Sequence, residues 1–160
     1  MDLKIGILAS HKNEVVDTIV EKFSDSIGAI ICKTSDEDEI LDVFEKSDVN
    51  LVVLVDYFRR VSDDFISRYP GRILNVHPSL LPKFGGEGMF GRAVHEAVIA
   101  SGDEKSGVTI HVVEGDYDIG EIVAQRKIDA KGNVEDLERD VCEAEKELVC
   151  EVLEKFRQYF

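Results

Sequence analysis

Short apolar runs alternate along this chain with stretches whose apolar residues recur every three or four positions. Leu3 to Ala9 (Leu-Lys-Ile-Gly-Ile-Leu-Ala) is short and apolar and reads as a buried first strand. Residues 13–23 then place Val15, Val16, Ile19, Val20 and Phe23 at helical spacing, with Ser10 or Asn13 as the cap. Ile27 to Cys32 predicts a second strand. Ser35 precedes the acidic turn Asp36-Glu37-Asp38-Glu39, which complements a helix dipole, and Ile40, Leu41, Val43 and Phe44 supply that helix's buried face. Leu51 to Val55 is continuously apolar, the pattern of a strand covered on both faces. A helix over 62–68 starting at Ser62 follows, and then a strand from Ile73 to Val76.

The second half continues the alternation. Gly85-Gly86-Glu87-Gly88-Met89-Phe90-Gly91 is rich in glycine and predicts a loop leading into a helix at about 91–101. Val108 to Val113 and Glu121 to Ile128 read as strands joined by the loop Glu114 to Gly120. Residues 134–156 form a long amphipathic helix with Leu137, Val141, Leu148, Val152, Leu153 and Phe156 on its apolar stripe. Strands alternating with helices predict an α/β protein with a doubly wound, mostly parallel open sheet. No repeat, linker or low-complexity segment divides the chain, so residues 1–160 are expected to form a single domain.

Composition narrows the partners. A formal charge of −14 disfavours nucleic acid and anionic membranes, since a phosphate backbone needs a basic face. No apolar run approaches the length of a membrane span and no signal segment precedes the first strand, which predicts a cytoplasmic protein. Cys32, Cys142 and Cys150 have unrelated spacings, so buried structural thiols are expected rather than disulfides or a zinc site. No metal is predicted. The sequence is compatible with a homodimer but does not require one.

The candidate chemistry lies in Arg72-Ile73-Leu74-Asn75-Val76-His77-Pro78-Ser79-Leu80-Leu81-Pro82-Lys83-Phe84. Alternation along an extended segment puts Asn75 and His77 on the same face. Pro78 biases His77 away from helical backbone and keeps the pair extended at the strand's end. An amide and an imidazole presented together at the mouth of a sheet suit acyl transfer: one can hold a carbonyl oxygen, the other can stabilise charge or carry a proton. Taken alone, the pair also fits a strand end that satisfies only backbone groups.

Asn75-Val76-His77-Pro78-Ser79-Leu80-Leu81-Pro82-Lys83 resembles the signature of the folate-dependent formyltransferases, most nearly the phosphoribosylglycinamide branch of purine synthesis. The resemblance covers most of the chain, is strong from Leu51 to Lys127, and implies the family's Rossmann-like fold. It implies that Asn75 and His77 are catalytic, joined by Asp118 in the loop Asp118-Ile119-Gly120 that follows the strand bearing His111. Asn75 would donate its amide to the formyl oxygen, His77 would stabilise charge, and Asp118 would relay the proton and orient His77. His111 is expected to support the site from the strand interior, and Ser79 to be a turn hydroxyl.

The resemblance also implies 10-formyltetrahydrofolate as co-substrate, in a slot built by Phe58, Arg59 and Val61 with Glu114, Gly115, Asp116 and Tyr117. For the acceptor, Ser10, Lys12, Asn13, Gly86 and Glu145 are the matching positions. Here the chain departs from the family, whose first strand is followed by a glycine-rich turn that cradles phosphate. This chain reads Ala9-Ser10-His11-Lys12-Asn13, without the glycine that lets backbone approach a phosphate. It also looks one strand–helix unit shorter between Cys32 and Leu51. The implied reaction is therefore formyl transfer to glycinamide ribonucleotide. The alternatives are another amine, such as a nucleotide-linked amino sugar, or folate binding without turnover. Methionyl-tRNA formyltransferases share the motif, but the negative charge and short chain count against that reading.

Overall fold

In the computed structural model, which describes residues 1–160, the apolar runs become six strands. They are β1 (Ile5–Leu8), β2 (Ile27–Ile31), β3 (Leu51–Val55), β4 (Ile73–His77), β5 (Lys105–Val112) and β6 (Ile122–Asp129). The periodic stretches become α1 (Glu14–Lys22), α2 (Glu37–Lys46), α3 (Asp63–Arg68), α4 (Arg92–Ser101) and α5 (Val134–Arg157), with a 3-10 turn at Ser24–Ser26. One sheet holds all six strands in the order β2-β1-β3-β4-β5-β6. β1 to β4 run parallel, β5 is antiparallel to β4, and β6 is antiparallel to β5. The mostly parallel α/β sheet expected from the alternation is present.

Side-chain alternation splits the strand residues between two cores. Ile5, Ile7, Leu51, Val53, Val55, Leu74 and Val76 face α1, α4 and α5 in the larger core. Leu8, Val52, Leu54 and Ile73 face α2 and α3 in the smaller one. Hence β1 and β3 are buried at every position and need uninterrupted apolar sequence. The connection through α1 lies on one face, while α2 and α3 cover the other. The winding therefore changes side between the adjacent strands β1 and β3, and a crevice opens beyond their carboxyl ends.

Local chemistry sets the helix starts. Asn13 caps α1 by accepting from Val16 N at 2.9 Å, and Ser62 caps α3 by accepting from Phe65 N at 3.1 Å. On α2 the cap is Asp36, one residue beyond Ser35, because its carboxylate reaches both Asp38 N and Glu39 N. Asn133 and Asp136 form a reciprocal capping box on α5. Three expectations need correction. Val43 is 36% exposed, lying off the α2 stripe that buries Ile40, Leu41 and Phe44. β5 begins at Lys105 because pairing with β6, which a sequence does not display, extends it backwards to Asp129. Of the three thiols only Cys150 is buried; Cys32 and Cys142 are half-buried, and all are free. Burial, aided by the charge of Glu145, pushes the Cys142 thiol up to about 12, which leaves it protonated and unreactive. No helix is long and apolar enough to cross a membrane.

The smaller core turns on three rings. Phe44 meets Phe65 at 6.5 Å and Tyr69 at 6.3 Å between centroids, both edge-on. Gly6 makes room for them, since a Cβ there would lie 2.8 Å from the Phe44 ring. Phe44→Ala should therefore cost about 3–5 kcal/mol, read as a lower urea midpoint with an unchanged slope.

Candidate active site

Strand β4 ends at the sheet's carboxyl edge with Asn75 and His77 on the face away from α1 and α5. The loop after it is bolted to the antiparallel hairpin. Thr109 Oγ1 donates to Ser79 O at 2.7 Å and accepts from Leu81 N at 3.0 Å. Gln125 Nε2 donates to Leu81 O at 3.0 Å. Ser79 Oγ donates to Lys83 O at 2.6 Å, the turn hydroxyl anticipated from sequence. These bonds deliver Phe84 to the site with its backbone at φ 55, so that its carbonyl accepts from His77 Nε2 at 2.9 Å.

Asp118 joins this arrangement from the loop between β5 and β6. Its Oδ1 lies 3.1 Å from His77 Nδ1 and 3.4 Å from Asn75 Nδ2, and its Oδ2 accepts from Gly86 N at 2.9 Å. Both nitrogens of His77 thus have polar partners, which fix the orientation of the ring. Burial would raise the Asp118 carboxyl. The hydrogen bond and charge of His77, the Gly86 amide and His111 outweigh it and hold the carboxyl below its usual range. Asp118 adopts φ 55, a left-handed conformation that Asp tolerates. Gly120 follows at φ 143, where a Cβ would strike Val112 O, which explains the glycine of the Asp-x-Gly pattern.

The antiparallel register sets Asn75 directly opposite His111. His111 is 1% exposed; its Nδ1 donates to Val112 O at 2.9 Å, leaving Nε2 to accept from Asn75 Nδ2 at 3.1 Å. Burial lowers the His111 pKa and favours this neutral form. The neutral ring fixes which way the Asn75 amide points. Sequence alone suggested a supporting His111 but not this partner, because only strand pairing brings the two together.

A cleft of about 650 Å³ lies in front of these groups. Asn75, His77, His111 and Asp118 line it together with Phe58, Arg59, Val61, Gly86, Gly115, Asp116 and Tyr117, whereas Glu114 lies outside the lining. Arg60 clips the two sides of the slot together: its Nε donates to Asp116 at 2.9 Å and its N to Tyr117 OH at 3.2 Å. Phe90 stacks on Phe58 at 4.6 Å and 22°. Neither Arg60 nor Phe90 was singled out from sequence; the only signal was an aromatic residue in a glycine-rich loop.

A second, wider cleft of about 1470 Å³ adjoins the first and shares Asp56, Phe58, Pro78 and Gly91 with it. Asn13 and Glu145 line the second cleft; Ser10 and Lys12 line neither. Ser10 instead ties the ends of β1 and β3 together, its N donating to Asp56 O and its Oγ accepting from Phe58 N, both at 2.9 Å. Glu145 is 8% exposed, and burial, with the charge of Asp56, raises its carboxyl well above the usual range.

The open α/β sheet thus brings an amide, an imidazole and a carboxylate together at one wall of the first cleft, groups whose chemistry suits acyl transfer. The chain belongs to the formyl transferase family, whose pattern it matches over residues 5–153. It is 42% identical over 117 residues to the chloroplastic phosphoribosylglycinamide formyltransferase of Arabidopsis thaliana, covering 72% of this chain and 40% of that protein. It is 28% identical over 154 residues to the methionyl-tRNA formyltransferase of Finegoldia magna, covering 94% of this chain and 48% of that one. The chain thus spans about half the length of these curated relatives. Among solved structures, phosphoribosylglycinamide formyltransferase from Brucella melitensis superposes with a TM-score of 0.81 at 26% identity, covering 98% of this chain and 96% of that chain.

The depressed Asp118 pKa has a definite sign in stability. Its contribution is fully present above the unfolded carboxylate value of about 4 and is lost as pH falls through the lower folded value. The stability gap between wild type and Asp118→Asn should be present at about pH 5 and shrink as pH falls below about 4. Urea unfolding across an acid series checks this; a gap that grows on acidification would contradict the pairing with His77.

Proposed function

We infer that the protein transfers the formyl group of 10-formyltetrahydrofolate to the primary amine of glycinamide ribonucleotide, the acceptor for which its relatives are named. The observation that carries this reading is the Asp118 carboxylate, within 3.1 Å of His77 and 3.4 Å of Asn75 at one wall of a slot-shaped cleft. The flat pteridine would lie against Phe58, Val61 and Tyr117, with Arg59, Gly115 and Asp116 around it and Glu114 behind the loop. The acceptor would enter the second cleft past Asn13 and Glu145, with Ser10 and Lys12 at the approach and Gly86 on the donor side.

In this reaction the amine lone pair attacks the formyl carbon and its oxygen becomes an oxyanion. Asn75 donates to that oxygen, in an orientation set by His111, and the His77 imidazolium stabilises the charge at fixed position. Asp118 relays a proton from the attacking nitrogen to the leaving folate nitrogen as the old C–N bond breaks. No covalent nucleophile is needed when both substrates sit side by side. Residues 1–160 would carry the catalytic domain in a form one strand–helix unit shorter than the family. The partners would be small molecules, in the cytoplasm or, as for the plant relatives, a chloroplast; a homodimer remains compatible.

A second reading keeps the chemistry and changes the amine, for example to a nucleotide-linked amino sugar; a non-catalytic folate binder is its limiting case. The turn Ala9-Ser10-His11-Lys12-Asn13, which has no glycine to cradle phosphate, favours it. Purified protein mixed with 10-formyltetrahydrofolate and glycinamide ribonucleotide should release tetrahydrofolate, followed by absorbance. Asn75→Ala should abolish the release, and Asp118→Asn should lower kcat by about 10²–10⁴-fold with folate affinity unchanged. No release while folate still binds would count against this acceptor and send the search to other amines.

A further inference from the structure

We propose that Asp56 is a further catalytic residue, whose carboxylate receives the ammonium group of the acceptor and takes its first proton. This rests on the formyl-transfer reading above. Asp56 is the first residue after β3, at the crevice where the winding changes side. Of the four residues shared by the two clefts it is the only charged one. It therefore stands where an amine arriving through the second cleft would meet a formyl group held in the first.

Its backbone is held at φ 48, a region most side chains avoid. The bond from Ser10 N to Asp56 O holds it there, and the Phe58 N bond to Ser10 Oγ braces the next turn. The side chain remains 29% exposed, and the one ion-pair partner of its carboxylate is His11 Nε2 at 3.7 Å. His11 is itself anchored by Nδ1 donating to Lys12 O at 2.9 Å. The Asp56 oxygens are thus open toward a ligand.

The surrounding charges favour a cation at this point. From α5, Glu138 lines the same cleft, beside the unpartnered, more than nine-tenths buried carboxyl of Glu145, whose raised pKa makes it a polar partner more than a fixed charge. Arg139 on that helix is engaged by Asp136, and Arg92 on α4 by Glu96 and Glu135. Glu14 on α1 also lines the cleft and is paired with Lys146 at 3.5 Å. His95 on α4, 5% exposed, leaves its buried Nδ1 without a partner in the same wall. Burial raises the Asp56 carboxyl, with His11 opposing and Glu138 adding to the rise, which brings it nearer the range of a useful base.

The chemistry balances without any further reactant. A primary amine near neutral pH is largely ammonium, with a pKa of about 8, and cannot attack. Transfer of one proton forms an O–H bond on Asp56 and frees the nitrogen lone pair. That pair forms the new C–N bond to the formyl carbon, the bond from that carbon to the folate nitrogen breaks, and the second amine proton passes through Asp118 to the folate. The proton on Asp56 then leaves to solvent through the wider cleft.

The test uses Asp56→Asn and Asp56→Gly, since Asn and Gly both accept the left-handed backbone and should keep the fold. Circular dichroism and urea midpoints verify this. The kcat/KM for glycinamide ribonucleotide and for glycinamide is measured between about pH 6 and pH 9. Both variants should raise acceptor KM about tenfold or more while leaving donor KM unchanged, and below the amine's own pKa their kcat/KM should fall about tenfold per pH unit, more steeply than wild type. Wild-type profiles and acceptor KM in both variants would overturn the role of Asp56 alone. Absence of tetrahydrofolate release by wild type with every amine would overturn the formyl-transfer reading and this role with it.

Discussion

The site depends on one nearly buried carboxylate. Asp118, 10% exposed on its side chain, reaches His77 from β4 and Gly86 from the glycine-rich loop, with Asn75 at the edge of range. A carboxylate placed there alone would be expensive to desolvate. The His77 ring beside it and the amide on its other oxygen offset that cost, and so three segments distant in sequence are held in one geometry. The Phe84 carbonyl does the same for the other nitrogen of His77. The same bonds that make the carboxylate tolerable also place it.

Rigidity comes from the hairpin behind the site. Thr109 and Gln125 grip the backbone of the loop after β4, and His111 sets the amide of Asn75. The doubly wound half contributes something different. Because its connections change faces between β1 and β3, it leaves an opening at the strand ends, and the two clefts meet there. The parallel strands thus provide space and the antiparallel strands provide positioning.

Charge is distributed unevenly over this frame. The chain carries −14 formally, yet in the first cleft Asp118 is paired with His77 and Asp116 with Arg60. In the second cleft Glu138 has no ion-pair partner, and Arg92 and Arg139 are engaged by other carboxylates.

Much of this was legible in the sequence, for a physical reason. Strand and helix periods, the caps Asn13 and Ser62, and the extended Asn75-Val76-His77-Pro78 run are local consequences of backbone sterics and burial. A linear reading recovers them to within a few residues, whereas Asp118 is reached only through the resemblance of its Asp-x-Gly loop to the formyltransferases. Long-range pairing was not legible. The register that sets His111 against Asn75, the start of β5 at Lys105, and the Phe90 ring on Phe58 depend on which strands and loops become neighbours. The positive φ of Asp56 and its position between two clefts belong to the same class. The sequence by itself determined the elements and the chemical groups available. Only the packed sheet, by closing contacts across tens of residues, decided which groups meet, how they are oriented and which are left facing open space.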